Sequence, residues 1–390
     1  MRILFTFVGG TGHLNPLVPI ARGAQNAGHV VAFAGRSSMV PTVEAAGFVA
    51  YAIGAAPEAA PARLELRAPD AAREDRDLRD GFADRLARER ATAILALVSA
   101  WRPNLIVCDE VDFGAIVAAE RLGLPYATVL VIAAGSFVRH VVVAEPLHAL
   151  RAEHGLPPDP DLTMLSRYLV LSPFPPRYRD PRSPLPATAH ALRPQALEPI
   201  GSDPVPAWIT RLNGAPTVYF TLGTVFNIES GDLMARIIAA LRDLPINLVV
   251  TVGFEIDPAE FGPQPATVHI EQYLSQSTLL PHCRMVISHG GSGTVIGALA
   301  HGLPMVLIPL GADQLVNAAR CAELGVARLL DAMEVTPERV QTAVSAMLAD
   351  PSYRRHAERI RDEVAELPGP AHAVTLLERL VAEKRPLVSV

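Results

Sequence analysis

At 390 residues, half of them apolar and 19% charged, the chain has the composition of an ordered globular protein with room for two full cores. A formal net charge of −6 excludes the electrostatic footprint of a nucleic-acid or anionic-membrane binder. Three widely separated cysteines, Cys108, Cys283 and Cys321, show no metal-ligand spacing, and their odd number argues against a disulfide framework.

The opening run MRILFTFVGG has the length of a strand and lacks the charged region and cleavage site of a signal peptide, so the chain reads as cytoplasmic. A strand is predicted over 2–8, a helix over 14–28 closed by Gly28, and a second strand over 30–34. Residues 55–90 carry few large apolar side chains and many Arg, Asp and Glu, and read as a solvent-exposed excursion. A helix over 90–101, ended by Pro103, leads into a strand over 105–109. The apolar stretch 127–144 is interrupted by Gly135, Ser136, Arg139 and His140. It falls short of the roughly 20 apolar residues of a membrane span and reads as buried core.

Prolines crowd 171–206, which rules out a helix interior or a central strand there and marks a domain boundary, with a linker over 201–213. The alternation then restarts. Strands are predicted over 217–222, 247–252, 284–288 and 305–309, and helices over 232–241, 294–301 and 314–324. Strands alternating with helices imply parallel sheets covered on both faces. The expected architecture is α/β, two doubly wound domains (1–200 and 214–369) facing a central cleft. A last segment, 370–390, carries a helix free to cross back to the first domain.

His289-Gly290-Gly291-Ser292-Gly293-Thr294 lies between a strand and a helix. Glycines there let backbone approach a ligand, and the first-turn amides and helix dipole favour a diphosphate. Thr294 offers a hydroxyl and His289 a ring N–H to the same oxygens; a Walker loop would need Lys before its Ser or Thr, and none is present. One strand–helix unit later, Asp313-Gln314 stands at another strand's carboxyl end, with acceptors and donors suited to sugar hydroxyls or, on the plainer reading, to a helix cap.

In the first half, Gly9-Gly10-Thr11-Gly12-His13 follows the first strand. A dinucleotide fingerprint would need a third glycine where Asn15 stands and an acidic residue near Ala34-Gly35-Arg36, so that reading is incomplete. His13 is placed to take a proton from a hydroxyl if a carboxylate orients its other nitrogen; Asp109, at the carboxyl end of the strand over 105–109, is the natural candidate, with Asp112 next. Two Asp-x-Asp runs, Asp75-Arg76-Asp77 and Asp159-Pro160-Asp161, have the spacing of metal-dependent transferases but sit in polar or proline-rich segments.

The order Gly12-His13 with Pro16-Leu17, Leu222-Gly223-Thr224, Gln276, the 289–294 turn, Gly302-Leu303-Pro304 and Asp313-Gln314 resembles the family-one glycosyltransferases. It is most similar to the bacterial branch that decorates natural products, over nearly the whole chain and most strongly over 217–325. The resemblance implies the GT-B fold, two facing Rossmann-like domains, and assigns roles. His13 is implied as the base and Asp109 as its balancing carboxylate. Thr221 and Thr224 belong to the loop that reaches the donor phosphates. His289, Gly291, Ser292, Gly293 and Thr294 are implied as diphosphate binders, and Asp313 and Gln314 as sugar binders. Tyr273 takes the place where plant relatives stack a Trp on the nucleobase, three residues before Gln276.

The sequence departs from the pattern at Ser275, where Pro commonly precedes the Gln. It also lacks the acidic residue after Thr294 that binds ribose in plant relatives, which suits a thymidine as well as a uridine diphosphate sugar. The implied reaction is an inverting, metal-independent transfer of a hexose to a hydroxyl of a small hydrophobic natural-product acceptor, with no cofactor beyond the nucleotide sugar. The acceptor pocket falls to the first domain, with Phe137, His140 and Met164 as candidate walls. Two other readings stay open: a hydrolase or epimerase of sugar nucleotides on the same fold, and a non-catalytic helper protein. The sequence implies no nucleic-acid or membrane partner and leaves a homodimer open.

Overall fold

Each half of the chain builds its sheet from short runs of apolar and β-branched residues that are buried on both faces, as parallel strands require. The computed structural model describes residues 1–54, 63–195, 206–212, 214–224 and 226–389. These fall into two units, the first comprising 1–54, 71–195 and 367–389, the second 63–70 and the remainder between 206 and 366.

The first unit contains seven parallel strands: β1 (Arg2–Thr6), β2 (Val30–Gly35), β3 (Val49–Ala52), β4 (Leu105–Asp109), β5 (Tyr126–Val129), β6 (Val170–Ser172) and β7 (Ala189–Ala191). Their order is β3-β2-β1-β4-β5-β6-β7. The chain builds outward from β1 in one direction, then returns to place β4 on its other side. That reversal is a switch point, and ligands of open α/β sheets bind at the strands' carboxyl ends there. Phe5, Phe33 and Phe48 stack beneath the sheet with ring centroids 5.2 and 5.0 Å apart.

The second unit repeats the design with β8 (Thr217–Thr221), β9 (Asn247–Thr251), β10 (Val268–Glu271), β11 (Met285–Ser288), β12 (Met305–Leu307) and β13 (Ala327–Leu329). The order β10-β9-β8-β11-β12-β13 puts its switch point between β8 and β11. Val218, Phe220, Leu248, Val250, Met285 and Ile287 form the core under that point.

Three expectations change. The helix predicted over 14–28 is two helices, Thr11–Leu14 and Val18–Asn26, because Pro16 has no N–H to carry the ladder across the junction. Of the supposed excursion, 55–62 lie outside the described residues, and 63–70 pair with the second unit, where Leu64 N–H donates to Ile228 O at 2.8 Å. Residues 71–101 are helical throughout, with a π-helical stretch at Asp77–Leu86 that buries Leu78 and Ala83. Most of the charged residues, Arg90 excepted, lie on the outer face, as in the Arg88–Asp84 pair at 2.7 Å, while Ala83, Ala87 and Ala91 pack inward, which disguised the helix. The proline-dense stretch does supply an interior strand: β6 ends at Ser172, one residue before Pro173, so no ladder bond is lost.

Within the linker expected over 201–213, positions 201–205 and 213 lie outside the described residues; Ile209–Arg211 form a single helical turn. The helix Pro370–Glu383 lies in the first unit against Val18–Asn26, where a Cβ on Gly23 would stand 3.2 Å from Val374. Among the described residues no helix is long and apolar enough to cross a membrane.

Candidate active site

In the first unit, β1 and β4 end side by side, and their last residues bring His13 to Asp109. His13 Nδ1 lies 3.1 Å from Asp109 Oδ2. The carboxylate is wholly buried and held by two backbone amides, Val8 N–H to Oδ2 and Val111 N–H to Oδ1, each at 2.9 Å. An ionised carboxylate only accepts, so the proton between the two side chains sits on Nδ1, and Nε2 is left with its lone pair. The ring reaches this position because residue 9 is glycine: a Cβ there would stand 2.0 Å from the His13 ring. Phe82, from the π-helical stretch, lies over the imidazole with centroids 6.4 Å apart and planes 13° from parallel. A quarter of the His13 side chain remains exposed. The arrangement fixes the ring in the orientation and tautomer that a general base requires.

Asp112, the other carboxylate considered for this role, is engaged elsewhere. It caps the helix Phe113–Arg121 through Ala115 N–H and forms a two-pronged ion pair with buried Arg90, whose Nε donates at 2.7 Å. The two Asp-x-Asp runs are structural as well. Asp75 pairs with Arg139, and Asp159 accepts from Thr163 N–H, Thr163 Oγ and Met164 N–H.

In the second unit, β8 and β11 end together. His289 is the first residue past β11, and its ring lies between two glycines. A Cβ on Gly223 would stand 2.7 Å from the ring, and one on Gly291 2.6 Å. Gly223 also takes φ +75°, which a larger residue adopts only under strain. Burial holds His289 down to a pKa of about 4, against which the Thr221 backbone raises it, so the ring is neutral and contributes an N–H rather than a charge. Its Nδ1 is buried without a hydrogen-bond partner. An orphaned polar atom at a strand's carboxyl end calls for a ligand.

The helix Ser292–Ala300 starts from Gly291 and presents the amides of its first turn. Thr294 Oγ1 accepts from Gln276 Nε2 at 3.2 Å, which keeps the hydroxyl proton available. Gly293 faces open space, and Thr224 is exposed. Thr221 is buried and accepts from Gly223 N–H at 3.2 Å, so it shapes the loop rather than reaching outward.

Asp313, half-buried at the head of helix Gln314–Glu323, receives Ser292 Oγ–H at 2.6 Å and Asn317 Nδ2–H at 2.7 Å on Oδ2. Ser292 is thus turned toward Asp313 and offers a phosphate only its backbone N–H. Gln314 differs from expectation: it is buried, and its Oε1 accepts from the Leu310 and Gly311 amides at 2.8 and 3.2 Å. Only its NH₂ is left for a sugar.

Tyr273 is 55% exposed and stacks on Phe254, 65% exposed, with centroids 5.5 Å apart. Of the acceptor-wall candidates, Phe137 is half-buried in the loop after β5. His140 is exposed and makes a ring-nitrogen contact with Pro160 O at 2.8 Å. Met164 is a correction: it is fully buried, its backbone accepts from Tyr126 OH at 2.6 Å, and it has no surface to line a pocket.

Sequence reasoning missed Phe82, Phe254 and Asn317. Asn317 alone had a readable signal, standing four residues after Asp313 on a helix, one turn along the same face.

Residues 235–380 match the family profile described as "Erythromycin biosynthesis protein CIII-like, C-terminal domain". The chain is 29% identical to 4'-demethylrebeccamycin synthase of Lentzea aerocolonigenes, over 97% of this chain and 99% of that protein. It is 28% identical to TDP-daunosamine transferase DnrS of Streptomyces peucetius, over 99% and 98%. Among solved structures it resembles spinosyn rhamnosyltransferase SpnG complexed with thymidine diphosphate, with a TM-score of 0.81 and 26% identity over 97% of this chain and 100% of that one.

Proposed function

Because the chain is a glycosyltransferase of the GT-B fold, similar to the bacterial enzymes that decorate natural products, we propose that it transfers a deoxyhexose from thymidine diphosphate to a hydroxyl of a small hydrophobic acceptor. The observation that carries this reading is the His13–Asp109 pair, in which a buried carboxylate fixes the ring with its proton on Nδ1.

The acceptor O–H gives its proton to His13 Nε2 as the oxygen attacks the anomeric carbon from the face opposite the leaving group. The new C–O bond forms while the bond to the diphosphate breaks, so configuration inverts. Asp109, unable to leave its two amide donors, balances the imidazolium without taking the proton. In the second unit the amides of the first turn, Thr294 Oγ–H and the neutral His289 N–H receive the charge that develops on the departing diphosphate. These donors need no cation to assist them, so transfer is metal-independent and uses no cofactor beyond the nucleotide sugar. Asp313, its Oδ2 fixed by two donors, faces the sugar hydroxyls as an acceptor. The names of two relatives favour thymidine over uridine: one is a TDP-daunosamine transferase, the other was solved with thymidine diphosphate. The absence of an acidic residue over 295–297 for a ribose 2′-hydroxyl agrees with this. Such an enzyme works in the cytoplasm, where sugar nucleotides are made.

Calorimetric titration of the native protein and Thr294→Ala with thymidine and uridine diphosphates, in the presence of EDTA, tests the donor half. The expected result is EDTA-insensitive binding, tighter for the thymidine form, weakened about tenfold by the substitution. Failure of both nucleotides to bind sinks the donor assignment and revives the helper reading.

A further inference from the structure

Glu110 follows Asp109 directly and lies beyond the carboxyl end of β4, yet the dyad does not use it. Its Oε1 accepts from Val131 N–H at 2.6 Å and Ile132 N–H at 2.7 Å, which pins the loop after β5 to the strand that carries Asp109. Both of these amides go to Oε1, and no hydrogen bond to Oε2 occurs among the described residues. Burial pushes this carboxyl up to about 7, although the two amides and Arg179 oppose the shift.

Arg179 arrives from the segment after β6. Its guanidinium lies flat against the backbone of the pinned loop: a Cβ on Gly135 would stand 2.3 Å from its Cζ. Nε–H donates to Ser183 O at 2.7 Å, the only hydrogen bond of the guanidinium among the described residues. Nη1 is buried with no partner, and no carboxylate among the described residues reaches ion-pair distance. Arg179 itself is half-buried, and a buried guanidinium nitrogen left this way is costly unless something else satisfies it.

The surroundings are built to stay in place. Asp180 N–H donates to Ala134 O at 3.0 Å, Ser136 Oγ–H to Asp180 Oδ2 at 3.1 Å, and Ser136 N–H to Ser183 Oγ at 3.1 Å. Gly135 and Ser136 both take positive φ, +77° and +66°. For Ser136 that is a strained backbone, of the kind that persists where the surroundings over-determine it.

We propose that Arg179 and Glu110 form a polar recognition site for the acceptor, which takes a neutral group presenting a carbonyl oxygen beside an O–H or N–H, such as a hydroxy-ketone or carboxamide. Arg179 donates to the carbonyl, and Glu110 Oε2 accepts from the hydrogen. A bare anion suits the guanidinium but would meet the Glu110 carboxyl, whereas a group carrying both a donor and an acceptor satisfies both residues. The site lies along the sheet edge that continues from the dyad through β4 and β5, so a hydroxyl elsewhere on the same acceptor is directed to His13. The inference rests on reading the first unit as the acceptor-binding unit; it does not depend on the donor site.

The test is saturation-transfer NMR with four small probes, 2-hydroxyacetophenone, salicylamide, phenol and benzoate. It uses the native protein, Arg179→Leu and Arg179→Lys, with thymidine diphosphate titrated into each. In the native protein the two carbonyl-bearing probes should bind about tenfold better than phenol, the worth of one charge-assisted hydrogen bond. That preference should vanish in Arg179→Leu while nucleotide binding is unchanged. Should the leucine variant fail to fold, the lysine variant carries the test, since it keeps the charge and loses the planar fork. Equal binding of phenol and the carbonyl probes by the native protein, no binding of any probe, a preference that survives both substitutions, or a preference for benzoate would each overturn the proposal. Loss of nucleotide binding with the carbonyl preference intact would instead count against the donor-site reading.

Discussion

Asp109 and His289 hold corresponding positions in the two sheets: Asp109 ends β4, the strand across the switch point from β1, and His289 is the first residue beyond β11, the strand across from β8. Each meets the loop that leaves the first strand of its own sheet. Asp109 receives His13 and two backbone amides, three donors on one carboxylate. His289 is seated between the bare backbones of Gly223 and Gly291 and loses its charge to burial. One topology therefore places a ring held by a carboxylate at the switch point of the first unit and a buried, uncharged ring at that of the second.

The dyad predicts an asymmetric mutant series. His13→Ala should lower kcat/KM by about 10²–10⁴ while thymidine diphosphate affinity, read by calorimetry, stays put. Asp109→Asn should cost a comparable factor. An asparagine amide set toward Nδ1 favours the tautomer with its proton on Nε2, where the base must be free. Activity within about threefold of native for Asp109→Asn would show that the carboxylate does not orient the ring.

Gly223→Ala tests the seat of His289. The methyl would stand 2.7 Å from the ring and the backbone would remain at φ +75°, so the imidazole must move. Thymidine diphosphate affinity should fall about tenfold or more, with a stability cost of about 1 kcal/mol for a left-handed alanine. An unchanged affinity would mean that the ring does not touch the donor.

The low pKa of His289 also has a stability signature. A group whose folded value is depressed from 6.5 to about 4 contributes fully above 6.5, and that contribution is lost as pH falls toward 4. Glu110 has the opposite sign: its value is raised from 4.5 to about 7, so its contribution is whole at low pH and lost as pH rises through 7. Urea unfolding between pH 4.5 and 7.5 should show a shallower acid-side loss in His289→Gln and a shallower alkaline-side loss in Glu110→Gln. Slopes equal to native in both would refute these assignments.

How much of this was readable beforehand follows from what each feature depends on. Central strands such as β4 and β8 announce themselves because burial on both faces makes them uniformly apolar. The short outer strands β3, β7 and β13 have no such run and were invisible. His13 and Asp109 were found together because the first two strand ends of a doubly wound sheet must meet. Asp109 already stood ahead of Asp112 as the candidate in the sequence, but the reason Asp112 is engaged elsewhere, its pairing with Arg90, appears only in the structure. Met164 was misjudged for a related reason, since an apolar residue in a polar stretch looks the same whether it faces a pocket or the core.

Asn317 is expected to act on sugar binding alone. Its Nδ2 donates to Asp313 Oδ2 at 2.7 Å and reaches Gly290 O and Ser292 Oγ at 3.1 Å each, so one buried amide joins Asp313 to the glycine turn. Asn317→Ala should raise KM for a thymidine diphosphate sugar about tenfold, while affinity for thymidine diphosphate itself changes less than about twofold. Equal losses for both ligands would show that the turn had collapsed and that Asn317 serves the fold.

The Arg90–Asp112 pair sets a limit on how the dyad can be engineered. Arg90 is 4% exposed and Asp112 fully buried, and the pair ties the helix Ala87–Trp101 to the turn that follows Asp109. Replacing a buried ion pair whole is often neutral, but removing one partner leaves an uncompensated charge. Arg90→Leu should therefore destabilise the protein by about 3–5 kcal/mol in urea unfolding. The double variant Arg90→Leu/Asp112→Leu should recover part of that loss despite the missing helix cap, which on its own is worth about 1 kcal/mol. Because Val111, two residues from Asp109, donates to the dyad carboxylate at 2.9 Å, the single variant should also lose activity before it unfolds. A single variant as stable and as active as the native enzyme would show that the turn is held by its backbone alone.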